Sequence, residues 1–309
     1  MTDSLHRAAV LGAGFIGMNF VRHALQRGYE LSVLDHKPAP ADLAGQLKWL
    51  QGDMAREADV AQALQGADTV FHFISSTVPG DQVDIAAELQ QNVFQTLQLL
   101  NLCVKHEVRR VVFISSASVY GEQKVLPIAE TAATDPISAH GIHKLTIEKY
   151  LQFYRHQYGL DCKIARVSNP YGPGQKITGR QGFIAIAIGR IVAGERIMIR
   201  GDGTDIRDFI YIDDVSEALH RVATTTSDET LFNVGSGFGY SLNDVVAQMR
   251  ELTGLPLPVT YTESRFADIP QSVLDTSRSR FVLRIEPQLP LRAGLIKTLT
   301  FHGVACPAA

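Results

Sequence analysis

A chain of 309 residues has room for one large domain or two closely joined ones. Its 45% hydrophobic and 20% charged residues match a soluble globular protein, and a net charge of −3 supplies no basic field for nucleic acid. No apolar run reaches membrane-spanning length, which excludes a membrane partner on this reading. Residues 1–7 lead into the first apolar run without room for a signal peptide, so a cytoplasmic location is expected. Cys103, Cys162 and Cys306 lack metal or redox spacing, and Cys103 reads as core.

In chain order, Ala8-Ala9-Val10-Leu11-Gly12-Ala13-Gly14-Phe15-Ile16-Gly17 joins an apolar strand to a helix through a glycine turn. Gly12 permits a tight turn, Gly14 lets backbone approach a pyrophosphate, and Gly17 lets the helix pack close to the sheet. The free amides opening such a helix attract phosphate. Residues 15–27 read as an amphipathic helix with Gly28 at its end, and 31–35 as the next strand. Asp35 closes that strand about 20 residues past the glycines, where a carboxylate holds a ribose 2′-OH and repels a 2′-phosphate. The unit predicts NAD rather than NADP; a solvated turn aspartate is the plain alternative.

Residues 47–53 form a short strand ending in Asp53, placed by a doubly wound sheet to meet adenine or its ribose. A short helix over 60–64, a buried strand over 69–74 and a long amphipathic helix over 88–106 follow. Then Arg110-Val111-Val112-Phe113-Ile114-Ser115-Ser116 is a strand ending in hydroxyls. This alternation predicts a Rossmann-like, doubly wound parallel sheet with helices on both faces, and a smaller C-terminal α/β substrate lobe. We place the first domain at 1–168, with 208–235 returning to it, and the substrate lobe mainly at 169–309.

Further motifs are Phe113-Ile114-Ser115-Ser116-Ala117-Ser118-Val119-Tyr120-Gly121, Asp135-Pro136-Ile137-Ser138-Ala139-His140-Gly141-Ile142-His143-Lys144 and Arg166-Val167-Ser168-Asn169-Pro170-Tyr171-Gly172-Pro173-Gly174-Gln175. Downstream stand Gly201-Asp202-Gly203, Arg207-Asp208-Phe209-Ile210-Tyr211-Ile212-Asp213-Asp214-Val215 and Phe232-Asn233-Val234-Gly235-Ser236-Gly237. Together these resemble the extended short-chain dehydrogenase/reductase superfamily, and within it the NAD-dependent nucleotide-sugar epimerases and dehydratases, from about residue 7 to 301. Leu11 departs from the pattern, standing where many members have another glycine.

The resemblance implies NAD held by Gly12, Gly14, Phe15, Ile16, Gly17, Asp35, Asp53, Met54, Phe73, Ser75, Asn92 and Lys144. It implies a nucleotide-diphosphate sugar met by Ser76, Ser116, Asn169, Arg207 and Arg265. Two guanidinium groups suit a diphosphate because each donates in a fork. Loops at 74–81 and 175–182 would set substrate choice. The resemblance further implies a homodimer through the helices at 88–106 and 138–158, and a role in polysaccharide biosynthesis. Tyr120 and Tyr171 read as structural.

In this family a tyrosine, a lysine four residues later and a Ser or Thr serve the sugar hydroxyl being oxidised. Ser116 and Lys144 match; the tyrosine position is His140. Three readings stand open: His140 is the acid/base, catalysis is lost and the chain only binds its ligands, or the residue was introduced to trap a complex. An imidazole with an ordinary pKa near 6.5 suits proton exchange, and Lys144 would favour its neutral form. It is shorter than a phenol by on the order of 2 Å, and a misplacement of about 1 Å is costly. His143 shares a helix face with His140, but no third metal ligand is evident, so it reads as a solvated helical histidine and no metal is expected. The Asp-Glu pair that 4,6-dehydratases carry after the Ser/Thr is replaced by Ala117 and Ser118, which argues against loss of water. The expected activity is a nucleotide-sugar epimerase acting at C4 through a keto-sugar. A reductase, decarboxylase or dehydratase on the same fold, or a non-catalytic binder, is the alternative.

Overall fold

The computed structural model describes residues 6–76, 84–179, 181–263, 269–287 and 289–307. The first unit runs β1 (Arg7–Leu11), α1 (Phe15–Gln26), β2 (Glu30–Asp35), β3 (Lys48–Gln51), α2 (Glu57–Leu64) and β4 (Thr69–His72). It continues with α3 (Ile85–Leu89), α4 (Gln95–Lys105), β5 (Arg110–Ser116), α5 (Ala139–Tyr158) and β6 (Asp161–Val167). The four residues Ala8 to Leu11 are fully apolar and buried, as a strand covered on both faces requires.

The main sheet has seven strands in the order β10-β6-β5-β4-β1-β2-β3, where β10 is Leu231–Val234, and every pairing is parallel. The chain runs outward from β1 to β3, then returns to the other side of β1 as β4. That reversal opens a crevice at the C-terminal ends of β1 and β4, the place where such sheets receive ligands. One apolar core, with Phe20 and Val21 of α1, lies on one face; a second, with Leu99, Leu100, Ile147 and Leu151, fills the other.

The expected single helix over 88–106 is instead α3 and α4 joined by a π-helical turn, Gln90–Phe94. That wider turn carries Asn92.

The remaining elements are β7 (Asn169–Tyr171), α6 (Phe183–Val192), β8 (Ile197–Arg200), β9 (Ile206–Tyr211), α7 (Ile212–Thr224), β11 (Gly239–Ser241), α8 (Leu242–Thr253), β12 (Val259–Thr262), β13 (Gln271–Ser272), α9 (Ser277–Leu283) and α10 (Leu291–Phe301). A small sheet centres on β9, flanked by β11, β13 and β7, while β8 pairs with β12. Between these, α7 packs on α1 and β10 adds to the edge of β6, so the chain crosses back into the main sheet. None of the described helices is long and apolar enough to cross a membrane.

Candidate active site

The glycine turn has the geometry its residues suggest. Gly12 has φ +95°, its amide donates to Leu34 O at 2.9 Å, and a Cβ on Gly17 would lie 2.0 Å from Gly12 O. Around the Cβ position of Gly14 nothing lies within 4 Å. Gly14 caps α1 without a side chain, and the first turn, opened by Phe15 and Ile16, has no acid. An uncapped helix start beside open space fits a pyrophosphate. The Asp35 carboxylate, 7% exposed, accepts the amides of Ala13 at 2.7 Å and Lys37 at 2.8 Å. Its neighbours therefore fix it at the lip of the turn, where it faces an adenosine ribose in this type of sheet.

Beside it, Asp53 is exposed and its carboxylate accepts the Ala55 amide at 2.9 Å, while Met54 is buried. Phe73 stacks edge-on to Phe20 and lies against Gly17. Ser75 and Ser76 are exposed after β4. Asn92 holds Ser76 from two sides: its Oδ1 accepts the Ser76 amide at 3.0 Å, and its Nδ2 donates to Ser76 Oγ at 3.0 Å. Of the loop at 74–81, residues 77–81 lie outside the described residues, as does 180 in the loop at 175–182.

Ser116, His140 and Lys144 come from β5 and α5. Ser138 caps α5 through the Gly141 amide at 3.1 Å. A Cβ on Gly141 would lie 2.6 Å from Ser118 O, so only glycine lets the start of α5 press against the turn that follows Ser116. Ser116 Oγ accepts the Ser118 amide at 3.2 Å, leaving its own hydrogen to donate. Lys144 is buried; its Nζ donates to Ile114 O at 2.8 Å and sits 4.6 Å from the centre of the Phe113 ring. Burial pulls its pKa down to about 8, against the attraction of Glu148.

His140 departs from an ordinary imidazole. Its ring is partly exposed, but Nδ1 is buried without a hydrogen-bond partner among the described residues. Burial first, then the charges of Lys144 and His143, push its pKa down to about 3. The expected value near 6.5 is therefore corrected; the expected neutral form under Lys144 is what remains. His143 is also corrected. It is 4% exposed rather than solvated, and its Nδ1 lies 3.9 Å from Oε2 of the equally buried Glu88. Among the described residues no three His, Cys, Asp or Glu side chains gather as a metal site.

In the second half, Asn169 Nδ2 donates to Asp208 O at 3.0 Å. Arg207 is held by Asp205 at 3.2 Å and by the Ile206 and Pro270 carbonyls. Arg265 lies outside the described residues. Tyr120 and Tyr171 are buried, their hydroxyls donating to Asn233 Oδ1 at 2.6 Å and Leu291 O at 3.3 Å.

Sequence reasoning missed the groups that hold this arrangement. Glu148, 1% exposed, receives Arg166 through Nε at 3.0 Å and Nη2 at 2.6 Å, and Ser115 Oγ at 2.5 Å. Asp208, fully buried, accepts from Ser168, Ser236, Gly237 and Leu274 and so gathers three segments around β9. Asn19 ties α1 to the 169–175 motif by donating to Phe15 O and Pro173 O. Glu88 had a usable signal: it precedes Asn92 by one helical turn and so shares its face.

The model of the NAD dependent epimerase/dehydratase family matches residues 8–235. A UDP-glucose 4-epimerase of Mycolicibacterium smegmatis is 32% identical over 307 residues, covering 96% of this chain and 98% of its own. The crystal structure of a UDP-glucose 4-epimerase from Thermotoga maritima with UDP-glucose superposes with TM-score 0.88 at 30% identity, covering 96% of this chain and 98% of that one. That of Thermus thermophilus in complex with NAD gives 0.89 at 28%, covering 97% and 100%. Matched by the family model over most of its length and by a relative 32% identical across nearly the whole of both chains, the chain belongs to the NAD dependent epimerase/dehydratase family.

Proposed function

We propose that this NAD-dependent nucleotide-sugar epimerase inverts C4 of a UDP-linked hexose, with Ser116, His140 and Lys144 serving the reacting hydroxyl. The observation that carries the reading is the packing of Gly141 on Ser118, which sets the His140-bearing turn of α5 against the end of β5. Gly12, Gly14, Gly17 and Asp35 would hold the dinucleotide, and Asn92 would set Ser76 beside it. The chemistry NAD supplies when bound is reversible hydride acceptance at the carbon being inverted. Ser116 donates to the sugar oxygen, and neutral His140 takes its proton as the carbonyl forms. Burial first, and then Lys144, held by Ile114, keep His140 unprotonated beforehand. Arg207 and Arg265 would meet the diphosphate, and Asn169 the sugar nucleotide.

The UDP choice is supported by the relatives that act on UDP-glucose. We place the cofactor domain at 1–168 with 208–235 and the substrate lobe in the rest of 169–309. A homodimer through 88–106 and 138–158 is supported by Leu89 at the end of α3, Phe94 in the π-helical turn and Phe153 on α5, each about half exposed; light scattering at two concentrations tests it. Turnover against UDP-, GDP- and dTDP-hexoses tests the activity. Conversion of a UDP-hexose to its C4 epimer is expected; conversion of only GDP- or dTDP-sugars would overturn the UDP assignment.

A further inference from the structure

Taking up a proton at His140 places an imidazolium beside a buried lysine. The same step at a tyrosine would leave an anion there, which Lys144 would stabilise. A histidine at this position therefore needs a negative charge that a tyrosine does not.

Lys144 and His143, both on α5, are the charges that act on His140 directly; beyond them Glu148 of α5 faces Lys144 and is bound by Arg166 of β6, His72 of β4 is lowered by burial and then by Lys144, and Glu88 of α3 faces His143. Glu148 is already matched by the two-point contact with Arg166. Among the described residues the other buried carboxylate facing α5 is Glu88, 3.9 Å from His143, which is one turn along the helix from His140. Its backbone is fixed as well: Glu88 O accepts from Asn92 Nδ2 at 2.8 Å, the amide that also holds Ser76.

We propose that Glu88, acting through His143, is the counter-charge that lets His140 accept the substrate proton. This rests on His140 being the base. The O–H bond of the sugar hydroxyl breaks and its proton forms a bond to an imidazole nitrogen. The electron pair left on oxygen becomes the carbonyl as hydride leaves the same carbon for the bound dinucleotide. The positive charge now on His140 is balanced across His143 by Glu88, and the return of hydride reverses each change. Both Glu88 and His143 are positioning residues, since neither need touch the sugar.

The test compares Glu88→Gln in two backgrounds, the native chain and His140→Tyr, using whole protein, NAD and the UDP-hexose found to turn over. In the native background kcat falls about tenfold with KM little changed, because a weaker base removes the proton more slowly. In the tyrosine background the same change leaves kcat level or raises it, since a carboxylate near a phenolate is unfavourable. Equal losses in both backgrounds, or no loss in the native one, would overturn the proposal. Histidine NMR on the same proteins gives a readout free of turnover: Glu88→Gln lowers the His143 pKa by about one unit or more, and an unchanged titration would also overturn it. A native chain that is silent while His140→Tyr is active overturns the base assignment itself, and is recognised without altering Glu88.

Discussion

The Asp35 carboxylate and the Ala13 amide meet at 2.7 Å, which ties the end of β2 to the glycine turn between β1 and α1. One side chain thus shapes the turn and presents a negative charge where the proposed dinucleotide site would place a ribose. Asp35→Ala removes both roles. It weakens NAD binding by roughly tenfold to a hundredfold, as losing hydrogen bonds to a charged group does. It also narrows the preference for NAD over NADP. Titration of both dinucleotides by calorimetry checks this; unchanged discrimination would contradict the role given to Asp35.

Gly17→Ala is expected to abolish NAD binding, because its Cβ would lie 2.0 Å from Gly12 O. Gly14→Ala meets nothing within 4 Å in the protein itself. It should fold with native stability yet bind NAD more weakly, since the new methyl group occupies the space assigned to the pyrophosphate. A stability scan with and without NAD separates the two variants.

Glu148→Ala leaves Arg166 charged and buried without its carboxylate. Breaking such a pair costs about 3–5 kcal/mol, read as a lower midpoint in urea unfolding. Arg166 also stacks on Tyr120, its guanidinium carbon 4.5 Å from the ring centre, so the loss should spread to the turn after Ser116.

Among the six described histidines held below their ordinary value, three carry the largest shifts and lead the acid response. Burial lowers His72 and His140 to about 3 and His220 to about 4. In the unfolded chain these groups titrate near 6.5. Below that value the unfolded state binds protons that the folded state refuses, so stability falls as pH drops from about 6.5 towards 4. His220→Gln, at the α1–α7 contact where His220 bonds Tyr29 OH at 2.9 Å, should flatten that fall. Midpoints of thermal unfolding between pH 7 and 4.5 check the sign.

The strands and the glycine turn were legible in the sequence because buried parallel strands are unbroken apolar runs and the turn demands glycine. The site was legible in part. Ser116, Lys144 and Asn92 could be named through the family resemblance, yet the environment of His140 could not. Its lowered pKa comes from burial under the α5 start and from Lys144 and His143, a product of packing that spacing does not record. For the same reason His143 read as solvated: helical periodicity gives its face, whereas its neighbour Glu88 arrives from α3 across the π turn. Asp208 sits within a recognisable motif, but its role in joining three distant segments depends on pairing between distant strands.

The most direct measurement is epimerisation of the UDP-hexose by the purified native chain beside His140→Ala. The account predicts turnover by the native chain and a loss of about a hundredfold or more in the variant, with NAD still bound. Activity that survives intact in His140→Ala, or a native chain that binds NAD and UDP-hexose without converting it, would contradict the claim that this histidine does the work of the family's tyrosine.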